Sequence, residues 1–115
     1  MEGEVMTDLV GTWQVGDISS SYESDGYDVN LSAGLGYDFY AADLGVDPVM
    51  YLYDSSWNLV ASNDDGGWGL DAFIDSYVAP TSDTYHLYVT GFGAGTGAYA
   101  VGAHADWEQI DTPFA

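Results

Sequence analysis

"DPVMYLYDSSWNLVASNDD", residues 47–65, contains the run on which the fold turns. In Val49 to Tyr53, Met50 and Leu52 take one parity, while Val49, Tyr51 and Tyr53 take the other. Successive strand side chains point to opposite faces, so a run apolar on both parities belongs in the middle of a sheet. Acidic and small polar residues bound it on both sides.

Outward from this run, the pattern becomes one-sided. Tyr27, Val29 and Leu31 alternate with Asp28 and Asn30; Tyr37, Phe39 and Ala41 share one parity; Tyr85, Leu87 and Val89 do the same, as do Tyr99, Val101 and Ala103. Only "DAFIDSYVAP" breaks step, because Ile74 and Tyr77 both read inward yet lie three apart. One inserted residue explains this, so a β-bulge is expected near Ser76, with Pro80 ending the strand. Turn residues recur about every 8 to 12 positions, the rhythm of a sandwich or barrel. The expectation is all-β: an antiparallel, jelly-roll-like sandwich of about eight strands. Residues 11–104 would form that domain, with 1–10 as an extension or edge strand and 105–115 as a C-terminal arm. A hydrophobic content of 47% over 115 residues suffices for a single core.

The chain carries 19 Asp and Glu and no Lys or Arg, a formal charge of −19. Nucleic acid and insertion into anionic membrane are disfavoured, since both need cationic side chains against phosphate. Water, hydrogen-bond donors or imported cations must answer the carboxylates. Extreme acidity also suits a saline habitat, with potassium and hydration in place of specific sites. No cysteine is present, so disulfides and thiolate metal sites are excluded. Met1 is followed by acids rather than a basic and apolar leader, and no stretch is long and apolar enough to span a bilayer.

"GDISSS", "SDGYDVNLSAG", "YDFYAA", "DPVMYLYDSSWNLVASNDD", "VAP", "TYHLYV" and "GTGAYAV", in this order between Gly16 and Val101, resemble the bacterial pre-peptidase C-terminal domain. The resemblance implies a small secreted β-sandwich without catalysis, often with calcium in its loops. By position, it points to Asp47, Asp54, Asn63, Asp64 and Asp65 as ligands. The sequence departs from the family at Glu23 and Asp25, which stand for its paired acids, at "SDTYH" (Ser82–His86), and at the extra residue before Pro80.

Calcium takes six to eight oxygens from flexible loops. "SNDDGGWGLD" offers Asn63, Asp64 and Asp65 on a glycine-rich turn. Asp71 and Asp75 could close the shell from the following strand, with Asp47 and Asp54 arriving from neighbouring loops. Glu23 and Asp25, in "ESDGYD", mark either a second ion site or a polar hairpin. "GGWGLDAFI" matches one copy of the calcium nonapeptide of β-rolls, but a single turn cannot form the cage between turns. EF-hand spacing is absent. His86 and His104 lack a paired metal motif, and His86 is expected on the face opposite Tyr85 and Leu87. Asn30 begins a formal glycosylation sequon on an expected strand.

No G-x-S-x-G, cysteine nucleophile or H-E-x-x-H occurs, so no enzyme is expected. Outward aromatics are the other surplus: Tyr40, Trp57, Trp68, Tyr88, Phe92 and Trp107, of which Trp57, Trp68, Phe92 and Trp107 are the leading binding candidates. Exposed rings could stack on sugars or pack against another subunit. The leading expectation is an extracellular, calcium-binding structural subunit that self-assembles into a fibre, sheath or surface layer of identical copies. The alternative is an accessory module of a secreted enzyme, binding polysaccharide or protein substrate through its aromatics.

Overall fold

Residues 9–64, 66 and 69–105 are described by the computed structural model. Most of the expected terminal segments, together with Asp65, Trp68 and Trp107, lie outside the described residues. Among the described residues are β1 (Thr12–Ile18), β2 (Ser24–Leu31), β3 (Gly36–Asp43), β4 (Pro48–Tyr53), β5 (Leu59–Asn63), β6 (Ala72–Val78), β7 (Asp83–Gly91) and β8 (Gly97–Ala105). They form two four-stranded sheets, ordered β1-β8-β3-β6 (sheet A) and β2-β7-β4-β5 (sheet B). All strand pairings are antiparallel. Only the β4–β5 connection stays within one sheet. This is the double Greek key of a jelly roll, with β4 at an internal position as its two-sided apolar pattern requires.

Parity set the core. Val29, Leu31, Tyr37, Phe39, Ala41, Met50, Leu52, Tyr85, Leu87, Val89, Tyr99, Val101 and Ala103 are all buried, and Tyr27 packs partly buried against them. A side chain of Leu or Phe size sealed there contributes about 1.5–3 kcal/mol. Leu9 joins this core, and Val10 bridges to Ala103.

The expected bulge is present. Tyr37 pairs with Tyr77 and Phe39 with Ile74, so Asp75 and Ser76 together oppose Asp38. Ser76 takes a positive φ of 54°, and its N–H donates to Asp38 Oδ1 at 2.8 Å instead of to a ladder carbonyl. A second irregularity lies in β5: Leu52 faces Ala61 but Tyr53 faces Leu59, so Val60 is the extra residue.

Gly16 on β1 faces Tyr99 on β8. A Cβ at this glycine would lie 2.3 Å from the Tyr99 ring and 2.9 Å from the Tyr27 hydroxyl. Tyr99 cannot swing aside, because it is wholly buried and its hydroxyl donates to Asp25. Gly16→Ala is therefore expected to cost about 1–3 kcal/mol by overpacking, seen as a fall in Tm of about 5–15 °C. An unchanged melting curve would show that Tyr99 is free to move.

Candidate aromatic binding face

The β4–β5 hairpin is built by one carboxylate. Asp54 Oδ1 accepts the N–H groups of Ser56 and Asn58, each at 2.9 Å, and Oδ2 accepts the Asn58 amide at 3.2 Å. The Asp54 N–H donates to the Asn58 carbonyl and the Trp57 N–H to the Asp54 carbonyl. The backbone N–H of Asn58 is the main reason that the Asp54 pKa is lowered. An aspartate that organises a turn in this way is common. The backbone at Trp57 is not: it sits at φ 66°, a region that residues with a Cβ rarely adopt.

That conformation goes with an indole lying flat on His86, with ring centroids 4.0 Å apart and planes within 4°. Tyr53 and Tyr88 complete the group, 6.1 and 6.2 Å from Trp57 and 5.9 Å from each other in a T-shaped contact. Sheet register explains the gathering. Tyr53 pairs with His86 and Tyr51 with Tyr88, while Asp28 and Gly26 flank them from β2, all on the outward parity. The Tyr88 ring lies over Gly26, where a Cβ would approach to 3.0 Å. His86 Nδ1 and Asp28 Oδ1 are 3.1 Å apart. Trp57 remains 55% exposed and borders two open depressions. One, of about 250 Å³, is lined by Gly26, Tyr27, Asp28 and His86; the other, of about 310 Å³, by Ser24, Tyr51 and Tyr53; Tyr88 lines both.

The sequence-level candidates separate in space. Phe92 is 61% exposed but lies just beyond the far end of β7, where Gly91 pairs with Pro48, so it is remote from Trp57. Of the acids, Asp47, Asn63 and Asp64 come to that same far rim: Asp64 and Asn63 line a depression with Gly91, Phe92 and Gly93, and the Asp47 carbonyl accepts the Phe92 N–H. Asp54 lies at the opposite end of β4. Asp71 turns toward sheet A, where its carboxylate accepts the Tyr40 hydroxyl and the Asp43 N–H. Asp75 sits in the β6 bulge and accepts the Ser76 hydroxyl. Asn63 Oδ1 is occupied by the N–H groups of Gly66 and Phe73. Oδ1 of Asp47 and Oδ1 of Asp64 are buried without a hydrogen bond, although both residues have other interactions. Among the described residues, no three His, Cys, Asp or Glu side chains gather closely enough to hold a metal ion.

Glu23 and Asp25 lie elsewhere again. Glu23 Oε1 accepts the Ser19 N–H and hydroxyl and the Ser20 N–H. Asp25 accepts the Tyr99 hydroxyl at 2.7 Å, and Tyr99 also bonds Tyr27. A hydrogen bond from Asp25, then one from the Ser19 hydroxyl, holds the Glu23 pKa low. Burial pushes Asp25 up, more than the Tyr99 hydrogen bond pulls it down, and Glu23 raises it further. Burial likewise raises Tyr99 and Tyr27.

Parity marked His86 and Tyr88 as outward and put Tyr51 and Tyr53 together on one face of a run apolar on both sides. Their convergence on Trp57 depended on register and on the direction of the hairpin, which the local pattern does not carry.

No protein-family model and no curated protein sequence matches the chain significantly. Solved structures do. The pre-peptidase C-terminal domain of a collagenase from Bacillus anthracis aligns with a TM-score of 0.67 at 18% identity, over 89% of this chain and 99% of that domain. A periplasmic inhibitor of g-type lysozyme from Aeromonas hydrophila aligns with a TM-score of 0.61 at 14% identity, over 80% of this chain and 84% of the inhibitor. The chain therefore has a pre-peptidase C-terminal-like β-sandwich fold, and at these identities the likeness is one of fold alone.

The Asp25 site yields a pH test. Its raised pKa means that the folded state binds this proton more tightly than the unfolded state. The group's contribution to stability is thus greatest below its unfolded pKa and declines as pH rises through the folded one. Asp25→Asn, which mimics the protonated acid, should raise Tm at pH 7, with the gain shrinking toward pH 3. A lower Tm than the parent at pH 7 would mean that the Tyr99 hydrogen bond outweighs the desolvation.

Proposed function

We propose that the chain is a non-catalytic, extracellular or periplasmic accessory module that holds a polymeric substrate, a polysaccharide in the first instance, on the outer face of sheet B. The observation that carries this reading is the cluster of Trp57, His86, Tyr53 and Tyr88. It presents a half-exposed indole, held in an unfavourable backbone conformation by the β4–β5 hairpin, against side chains of an antiparallel sheet. Strained residues that persist tend to mark function, and Tyr53, His86 and Tyr88, which surround the indole, stand on strands, where groups are positioned more firmly than on loops. The fold neighbours are compatible with this: one is a domain of a collagenase and the other a periplasmic inhibitor. Both also make a protein ligand the second reading. No helix among the described residues is long and apolar enough to cross a membrane.

Calcium enters as a stabiliser at the far rim of sheet B. Asp47 and Asp64 flank the Gly91–Gly93 turn there, each with a buried carboxylate oxygen. Two carboxylates are too few alone, so carbonyls and water would fill the remaining positions. Self-association into a fibre, sheath or layer was expected from the aromatic faces, the uncompensated charge and the terminal segments, and the last lie mostly outside the described residues. The aromatic face favours the module.

The binding reading is tested by co-sedimentation with insoluble cellulose, chitin and collagen. The parent should bind a polysaccharide saturably. Trp57→Gly removes the indole and suits the positive φ, so it should weaken binding about ten-fold or more while Tm stays within a few degrees. Binding that survives this change would move the site elsewhere.

The calcium reading is tested by melting the protein in EDTA and in excess calcium. An ion at about 100 times its Kd adds about 2.7 kcal/mol. Asp47→Asn or Asp64→Asn should abolish most of the calcium-dependent rise in Tm, and a parent whose Tm ignores calcium would refute the site.

A further inference from the structure

Negative charge surrounds the aromatic face, and no fixed cation offsets it, since the chain has no Lys or Arg. The Asp28 side chain is 45% exposed beside His86. Asp83 accepts the Ser55 hydroxyl at 2.6 Å within the hairpin that carries Trp57, and it lies in electrostatic range of both Asp54 and His86. The Ser55 hydrogen bond, then the Thr84 N–H, lowers the Asp83 pKa, so this carboxylate stays ionised. The ring faces add a negative quadrupole of their own. A sulfated or uronic-acid glycan would be repelled here, and a neutral one would gain only stacking. A glycan with ammonium groups would gain stacking, cation–π attraction and ion pairing together.

Resting on the glycan-binding reading above, we propose that this face takes a polysaccharide of amino sugars bearing free ammonium groups, stacked on Trp57 and paired with Asp28 and the Asp54–Asp83 carboxylates. His86 already covers part of the indole, so the sugar uses the surface that remains exposed. The depressions beside Trp57 are shallow and open. That shape favours a ribbon of flat rings passing across the sheet over a single basic side chain seated in a slot.

The test is isothermal titration of the full chain, at about pH 6 in low salt, with a fully deacetylated glucosamine hexamer. Its N-acetylated counterpart, a glucose hexamer, a uronic-acid hexamer and an arginine-rich peptide serve as the other arms. The deacetylated hexamer should bind about ten-fold tighter than the acetylated one, a difference of about 1.4 kcal/mol. Asp28→Asn or Asp83→Asn should reduce that preference several-fold, and 0.2 M salt should reduce it further. Trp57→Gly should weaken both hexamers. Asp17→Asn, at an exposed position of β1 in the other sheet, should change neither.

Equal binding of the acetylated and deacetylated hexamers overturns the ammonium assignment and leaves the glycan reading standing. An equal loss in Asp17→Asn and Asp28→Asn overturns it as diffuse attraction to a polyanion. Binding of the arginine-rich peptide with none of the hexamers overturns it in favour of a protein ligand and takes the glycan reading with it.

Discussion

Nineteen carboxylates without one lysine or arginine leave the fold dependent on neutral donors. Backbone N–H and side-chain O–H groups take the place that guanidinium and ammonium groups hold in most proteins. Asp54 ties the β4–β5 hairpin through two N–H groups, Glu23 the Ser19–Ser20 turn, Asp43 the Gly45 N–H, and Asp38 the bulge at Ser76. Hydrogen bonds to a charged acceptor are stronger than neutral ones. They also draw carboxylate pKa values down, as at Glu23 and Asp54. Acids that would only repel one another thus become the fasteners of the turns. The cost is that many of them have little capacity left for a metal ion.

That trade explains which parts of the protein could be read in the sequence. The faces of the strands were legible, because burial of alternate residues is a local pattern: Tyr85, Leu87 and Val89, or Tyr99, Val101 and Ala103, could point inward only together. The β6 bulge was legible for the same reason, as a break in that pattern. The site was legible only as residue types. Asp47 and Asp54 sit close together in the chain, yet β4 runs between them and holds them on the order of 20 Å apart. Asn63 looked like an ion ligand, but its oxygen is taken by Gly66 and Phe73. Which acid meets which loop depends on cross-strand register, and register is a property of pairs of strands.

Trp57 shows the same limit from the other side. Nothing in "DSSWN" marks the tryptophan as left-handed; Asn58, next in line, is the residue type that tolerates such a conformation more readily. A left-handed residue other than glycine costs about 1–2 kcal/mol. Stacking of aromatic rings contributes about 0.5–1.5 kcal/mol beyond the area it buries. The His86 contact is thus of the size needed to offset the backbone strain, though a glycine at this position would avoid the strain altogether. Stability gives no reason to place a large, half-exposed indole there, and the proposed ligand contact would supply one.

Aromatics alone do not single out sheet B, because sheet A carries its own row. Trp13, Tyr40 and Phe73 lie side by side across β1, β3 and β6 with centroids 5.8 and 6.0 Å apart, and Trp13 spans Gly102 of the intervening β8. That row is closed: each ring sets its edge toward the next, all three residues are partly buried, and the Tyr40 hydroxyl is held by Asp71. On sheet B the hairpin lifts Trp57 above the strand plane, so the indole stands between two depressions with most of its surface toward solvent. The two faces use similar residues at similar spacings, but the left-handed turn at Trp57 leaves the indole of one exposed, while the rings of the other are partly buried against one another.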